Sequence, residues 1–136
     1  MRRLVGTEDQ LYEQVAAWLR LTHPDVPFHF DLAGVNNPSP RTRALYGRIN
    51  KRAWPDLFIA TPRHGSHGCF LELKKEGVRV NKRTGEWASE HIAEQAAVLQ
   101  QLADIGYWAD FAVGYGETIK ALEAYLGAPK KSKEVF

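Results

Sequence analysis

The sequence predicts an α/β domain in which a small mixed sheet is flanked by helices. Three observations carry that expectation. The chain has 136 residues, enough for one domain with a sizeable core and too few for two ordinary ones. Apolar positions switch between helical and strand spacing along it. The order that results is helix, strand, hairpin, helix, strand, helix. Hydrophobic residues at 44% and charged residues at 25% are ordinary globular proportions, which excludes a disordered, collagenous or coiled-coil chain.

Thr7-Glu8-Asp9-Gln10 fits a capping box and opens a helix to about Arg20, with Leu11, Val15, Trp18 and Leu19 as its apolar stripe. His23-Pro24-Asp25-Val26-Pro27 stops it, and Phe28 to Leu32 alternates as a short strand. Gly34 to Pro40 is loop by its turn chemistry. Arg41 to Lys51 reads as a short basic helix or an ordered loop anchored by Leu45 and Ile49. Leu57 to Ala60 and Cys69 to Lys74 are two strands of a hairpin, joined by a turn over Pro62 to Gly68. Residues 75–89 are polar and turn-rich. Glu90 to Ile105 is a helix with Ile92, Ala96, Leu99, Leu102 and Ala103 on one face, closed by Gly106. Ala109 to Val113 is a last strand and Glu117 to Leu126 a last helix. The single domain is placed at residues 1–127, with 128–136 a lysine-containing tail.

No apolar run approaches the roughly 18 residues of a membrane span. Met1 to Gly6 carries charges with no apolar signal segment behind them, so a soluble intracellular protein is expected. Cys69 is the single cysteine, which rules out an intrachain disulfide and a cysteine-based zinc site. The net charge of +2 conceals an uneven distribution: residues 41–83 carry +8 and the remainder −6. A basic segment in an otherwise acidic domain is the footprint of a surface that meets phosphate, although charge alone fits a solvated lysine- and arginine-rich face equally well.

Asp56 opens a hydrophobic strand, and Glu72 and Lys74 lie one residue apart on the next. Strand alternation turns Glu72 and Lys74 to one face and Leu71 and Leu73 to the other. Bringing Asp56 beside Glu72 sets two carboxylates together, and like charges ~4 Å apart repel by roughly 4 kcal/mol at an effective dielectric near 20. A divalent cation offsets that repulsion, since Mg²⁺ favours one or two carboxylates plus water and phosphate oxygens. A surface salt bridge to Lys74 explains the same three residues without any cation. Glu8 belongs to the apolar stripe of the first helix and so faces the core or a site, or else serves as an N-terminal acid favoured by the helix dipole. Gln95 sits between Ile92 and Leu99 on a buried stripe and needs a polar partner. His91, one turn earlier, lines the same place or faces solvent.

These residues resemble a known family. Thr7-Glu8 leading into Trp18-Leu19, Trp54-Pro55-Asp56-Leu57-Phe58, the run Phe70 to Gly77, His91-Ile92-Ala93-Glu94-Gln95 and the stretch from Gly106-Tyr107 to Val113-Gly114 are similar to the VRR-NUC family. That family belongs to the PD-(D/E)XK nuclease superfamily and includes small stand-alone phage and bacterial members. The resemblance spans about residues 7–126. It implies a restriction-endonuclease-like αβββαβ core, with Glu8 as first-helix acid, Asp56 and Glu72 as ligands of Mg²⁺ or Mn²⁺, Lys74 as catalytic lysine and Gln95 as helix glutamine. One departure is Ala53, where the family commonly has glycine, a place where a positive φ is costly for a side chain.

The function so implied is a metal-dependent DNA endonuclease. Arg41, Arg43, Arg48, Lys51 and Arg52 form one candidate group for the DNA backbone, and Lys75, Arg79, Lys82 and Arg83 a second. No base-reading motif is present in the sequence, which favours selection of DNA structure over sequence. The resemblance further implies branched DNA, four-way junctions included, a homodimer, and a cytoplasmic location, that of the host if the chain is phage-encoded. A non-catalytic nucleic-acid-binding module with the same fold is the alternative, and an enzyme of RNA or nucleotides would keep the same metal site.

Overall fold

The computed structural model describes residues 7–31 and 39–129. Met1 to Gly6, most of the loop expected from Gly34, and tail residues 130–136 lie outside them. Thr7 caps α1 (Glu8–Thr22) as its sequence predicts: its hydroxyl accepts from the Gln10 amide at 3.1 Å, and the Gln10 side chain accepts from the Thr7 amide at 3.1 Å. The helix runs two residues beyond Arg20, because Leu21 and Thr22 offer no break before the backbone turns at His23. Then follow β1 (Phe28–Phe30), α2 (Pro40–Ile49), β2 (Leu57–Ile59), β3 (Cys69–Lys74), α3 (Glu90–Asp104), β4 (Trp108–Val113) and α4 (Gly114–Leu126).

The strands lie in the order β1-β2-β3-β4. Both β1 with β2 and β2 with β3 are antiparallel, whereas β3 and β4 are parallel and joined across α3. This is the expected α/β architecture with its αβββαβ order, into which α2 is inserted after β1 and to which α4 is appended.

As an interior strand, β3 is buried along its whole length. Cys69, Leu71 and Leu73 face a core built with Leu11, Val15 and Leu19 of α1 and Leu122 and Tyr125 of α4. Phe70 faces the other way, against Val98 and Leu102 of α3, with Phe58 stacked on it at 4.4 Å. Each fully buried leucine contributes about 1.5–3 kcal/mol of transfer free energy. These two layers fix β3 between them, which leaves Glu72 and Lys74 on the α3 side.

The observed buried stripe of α3 is Ile92, Gln95, Val98, Leu99 and Leu102. Ala103, expected on that face, is exposed, because the buried stripe is centred on Gln95 and Leu102, about a quarter of a turn away. Gly106 closes α3 at φ +103°, where a Cβ would stand 2.6 Å from the His67 ring, so glycine is required both by backbone angle and by space. The last helix begins at Gly114, three residues before Glu117, and is tightened by the Thr118 hydroxyl, which donates to the Gly114 carbonyl at 2.7 Å.

The segment after Pro40 is a helix, capped by Ser39, whose hydroxyl accepts from the Thr42 amide. Its expected apolar anchors are a correction. Leu45 and Ile49 are exposed by 46% and 65%, and α2 has no buried residue, because among the described residues no other helix or strand packs closely along it. Among the described residues, no helix is long and apolar enough to cross a membrane.

Candidate active site

The register Leu57↔Leu71, continued by one residue, sets Asp56 across from Glu72. Both are buried. The Leu73 amide donates to Asp56 Oδ2 at 2.8 Å, so the backbone of the neighbouring strand fixes the first carboxylate. Two turns of sequence lead into it: Ala53 adopts φ 62°, and Pro55 is buried just before Asp56. A left-handed alanine costs about 1–2 kcal/mol, and here its methyl packs against the cluster of Phe70, Val98 and Leu102, an apolar contact that glycine could not make.

On the other side Lys74 donates from Nζ to Gln95 Oε1 at 2.7 Å, and its Nζ lies 3.7 Å from Glu72 Oε2. Gln95 thus has the polar partner its buried position demands, and α3 is locked to β3 at the site. Glu72 Oε1 is buried with no hydrogen-bond partner among the described residues. Burial first, and next the charge of Asp56 with which it shares a hydrogen bond, push the Glu72 carboxyl up to about 10, against a smaller opposing pull from Lys74.

Asp56, Glu72, Lys74 and Gln95 form the floor of a cavity of about 790 Å³. Arg43, Tyr46, Asn50 and Lys51 from α2 and the turn after it make one wall, and Glu8, Trp54 and His91 stand at the mouth. Glu8 is exposed at that mouth and not turned into the core, although partial desolvation and then the charge of Asp56 still raise its pKa. His91 is both exposed and part of the cavity surface.

The remaining basic candidates separate. Arg52 borders the cavity and is paired with Glu94 at 2.7 Å. Arg41 and Arg48 are exposed on α2 but do not line the cavity. Lys75 follows Lys74 and lowers the pKa of Glu8, which places its charge near the mouth. Arg79, Lys82 and Arg83 are exposed in the loop after β3, away from the cavity surface, and Lys82 lies 3.9 Å from Glu86.

The residue types fit a hard divalent cation. Two adjacent carboxylates with an unpartnered buried oxygen suit Mg²⁺ or Mn²⁺, which keep water and substrate oxygens in their other positions. Among the described residues, no group of three or more His, Cys, Asp or Glu side chains is placed to hold a metal, so a cation here depends on that pair alone for acidic ligands.

No family model and no curated protein matches the sequence. Among solved structures, one titled "VRR_NUC domain protein" superposes over 96% of this chain and 100% of its own, with a TM-score of 0.64 and 22% sequence identity. The chain has the fold of that VRR_NUC domain protein. The VRR_NUC likeness extends through α1 to α4, so it bears out the restriction-endonuclease-like architecture across nearly the whole length.

Two participants had not been singled out from sequence. Tyr12, one turn beyond Glu8, hydrogen-bonds to Asp56 through its hydroxyl; burial and the Asp56 charge raise its pKa, which keeps it a neutral donor. Its signal was the spacing of four from Glu8, hidden because tyrosine on an apolar stripe reads as core. Tyr46 lines the α2 wall, and only the three-dimensional approach of α2 to the site reveals it.

Proposed function

We propose that this domain is a Mg²⁺- or Mn²⁺-dependent nuclease that hydrolyses phosphodiester bonds of DNA. The observation that carries the reading is the buried Asp56–Glu72 pair beside the Lys74–Gln95 contact, at the floor of a cavity with a cationic wall. Asp56 and Glu72 would hold the cation, whose contribution is Lewis acidity toward phosphate and a more acidic water. The Leu73 amide and Tyr12 hydroxyl orient Asp56. Gln95 holds the Lys74 ammonium at the floor, where it can donate to the attacking water or to a phosphate oxygen as negative charge develops. Hydrolysis forms a bond from water oxygen to phosphorus and breaks the bond to the departing sugar oxygen. Arg43 and Lys51 are positioned to offset the charge of the entering backbone.

A cleavage panel of linear, nicked, flapped and four-way DNA, with an RNA strand alongside, tests the reading. Cleavage in Mg²⁺ or Mn²⁺ that EDTA abolishes is expected. Binding without cleavage in either cation would instead identify a non-catalytic module. The same panel decides whether branched DNA is preferred, and sedimentation of the free protein decides whether it is a homodimer.

The basic segment has its own expected outcome. Arg48→Ala and Lys51→Ala each weaken DNA binding broadly and reduce the salt slope by about one unit if each neutralises one phosphate. Titrations at several salt concentrations measure this. An unchanged affinity and slope in both variants would make α2 a solvated face.

A further inference from the structure

The mouth of the cavity contains an aromatic side chain that the chemistry above does not use. Trp54 lies two residues before Asp56, is 39% exposed, and contributes to the cavity surface. It is not loosely held. Its ring meets Phe70 edge-to-face, with centroids 5.2 Å apart and planes at 82°, and Phe70 is itself stacked on Phe58. In either sense of an edge-to-face contact, Phe70 leaves at least one indole face uncovered. Ala53 at φ 62° and the buried Pro55 fix the backbone on both sides. A large apolar ring held rigid and exposed beside buried carboxylates and cationic walls combines the two elements of a single-strand site: a stacking platform and a positive groove.

From this geometry we infer that Trp54 stacks on an unpaired nucleobase next to the phosphate undergoing reaction. The substrate class it selects is therefore nucleic acid with an unstacked base at the cleavage position, such as a gap, loop or flap, in preference to continuous duplex. A base inside a duplex is already stacked on both faces and can reach the indole only by leaving its neighbours, at a cost of a few kcal/mol. A base that is already unpaired carries no such cost. The inference rests on the nuclease reading for the position of the phosphate, and on Trp54 alone for the preference.

The test measures binding of a labelled short oligothymidylate and of a duplex of equal length by fluorescence anisotropy in Ca²⁺, for wild type, Trp54→Phe, Trp54→Ala and Trp54→Leu. Loss of Trp54 stacking in Trp54→Ala lowers the single-strand to duplex affinity ratio about 5- to 150-fold. Trp54→Leu, which keeps apolar bulk against Phe70, loses the ratio as well, and Trp54→Phe retains most of it. In Mg²⁺, the preference for gapped over continuous DNA falls in parallel. An unchanged ratio in folded Trp54→Leu, or an equal loss of both affinities, overturns the inference. Absence of metal-dependent cleavage by the wild type would defeat the nuclease reading instead, and the binding ratio would still decide the role of Trp54.

Discussion

Replacing Asp56 by Asn is expected to lower phosphodiester cleavage by at least about a thousandfold while leaving the fold intact, since loss of a ligand charge removes several kcal/mol of transition-state stabilisation. An asparagine oxygen can still accept from the Leu73 amide, the 2.8 Å contact that fixes this position, so the local backbone keeps its support. One of the charges that raise the pKa of Glu72 also disappears, and the metal-free protein should melt at the same temperature or higher. DNA affinity in Ca²⁺ should survive, because the protein is then less negative where phosphate enters. Lys74→Ala should lose cleavage too, yet keep the cation-induced rise in melting temperature, because the ammonium is not a ligand. Cleavage rates in Mg²⁺ with melting curves with and without Mn²⁺ read both variants. Full activity in Asp56→Asn would remove the proposed metal site. A lower melting temperature without metal would point to a structural ion pair.

The second large effect is on the pH dependence of the metal-free fold. Glu72 has its carboxyl raised to about 10 in the folded chain, against an ordinary value of 4.5. Between those values the folded state retains a proton that the unfolded state has released. The stabilisation is therefore complete below about 4.5 and is lost as pH rises toward 10. Over that window the slope from this one group is on the order of 1 kcal/mol per pH unit. Glu72→Gln carries no such proton, so its melting temperature should exceed that of wild type at pH 8 and vary less between pH 5 and 9. A divalent cation should replace the proton, stabilise the wild type more as pH rises, and do little for Glu72→Gln. Parallel melting curves of the two proteins across this range would show that the buried carboxyl is not strained.

The floor of the site was legible because its residues obey short-range rules. Strand alternation alone puts Glu72 and Lys74 on one face, and the hairpin carries Asp56 opposite Glu72. Gln95 was legible from its place among Ile92, Leu99 and Leu102, and its partner is Lys74. What failed depends on how elements meet. Leu45 and Ile49 have the spacing of core anchors, but spacing does not say whether another element covers them, and they are exposed. Glu8 is not among the failures: of the two places its stripe allowed, core or site, it takes the second, at the helix end beyond Leu11 and Val15, where it borders the cavity mouth. The last helix was expected from Glu117 but begins at Gly114, which at φ +81° uses the freedom of glycine to turn the chain from strand into helix. Tyr12 was overlooked because its ring belongs to the core and only its hydroxyl to the site.

The burial of Cys69 at the start of β3 has a consequence for labelling chemistry. Its thiol is fully enclosed, and burial, followed by the charge of Asp110, pushes it up to about 12. Alkylation requires the thiolate, and at pH 8 a thiol with that pKa is ionised to roughly one part in ten thousand. The chain's sole cysteine is therefore silent toward maleimides under native conditions. A second cysteine introduced at an exposed position of α2 outside the basic group, such as Ala44→Cys, can take a fluorophore or spin label with the native sulfur left in place. Distances from that label to a labelled oligonucleotide would then trace the path of the nucleic acid across the cavity without disturbing the core.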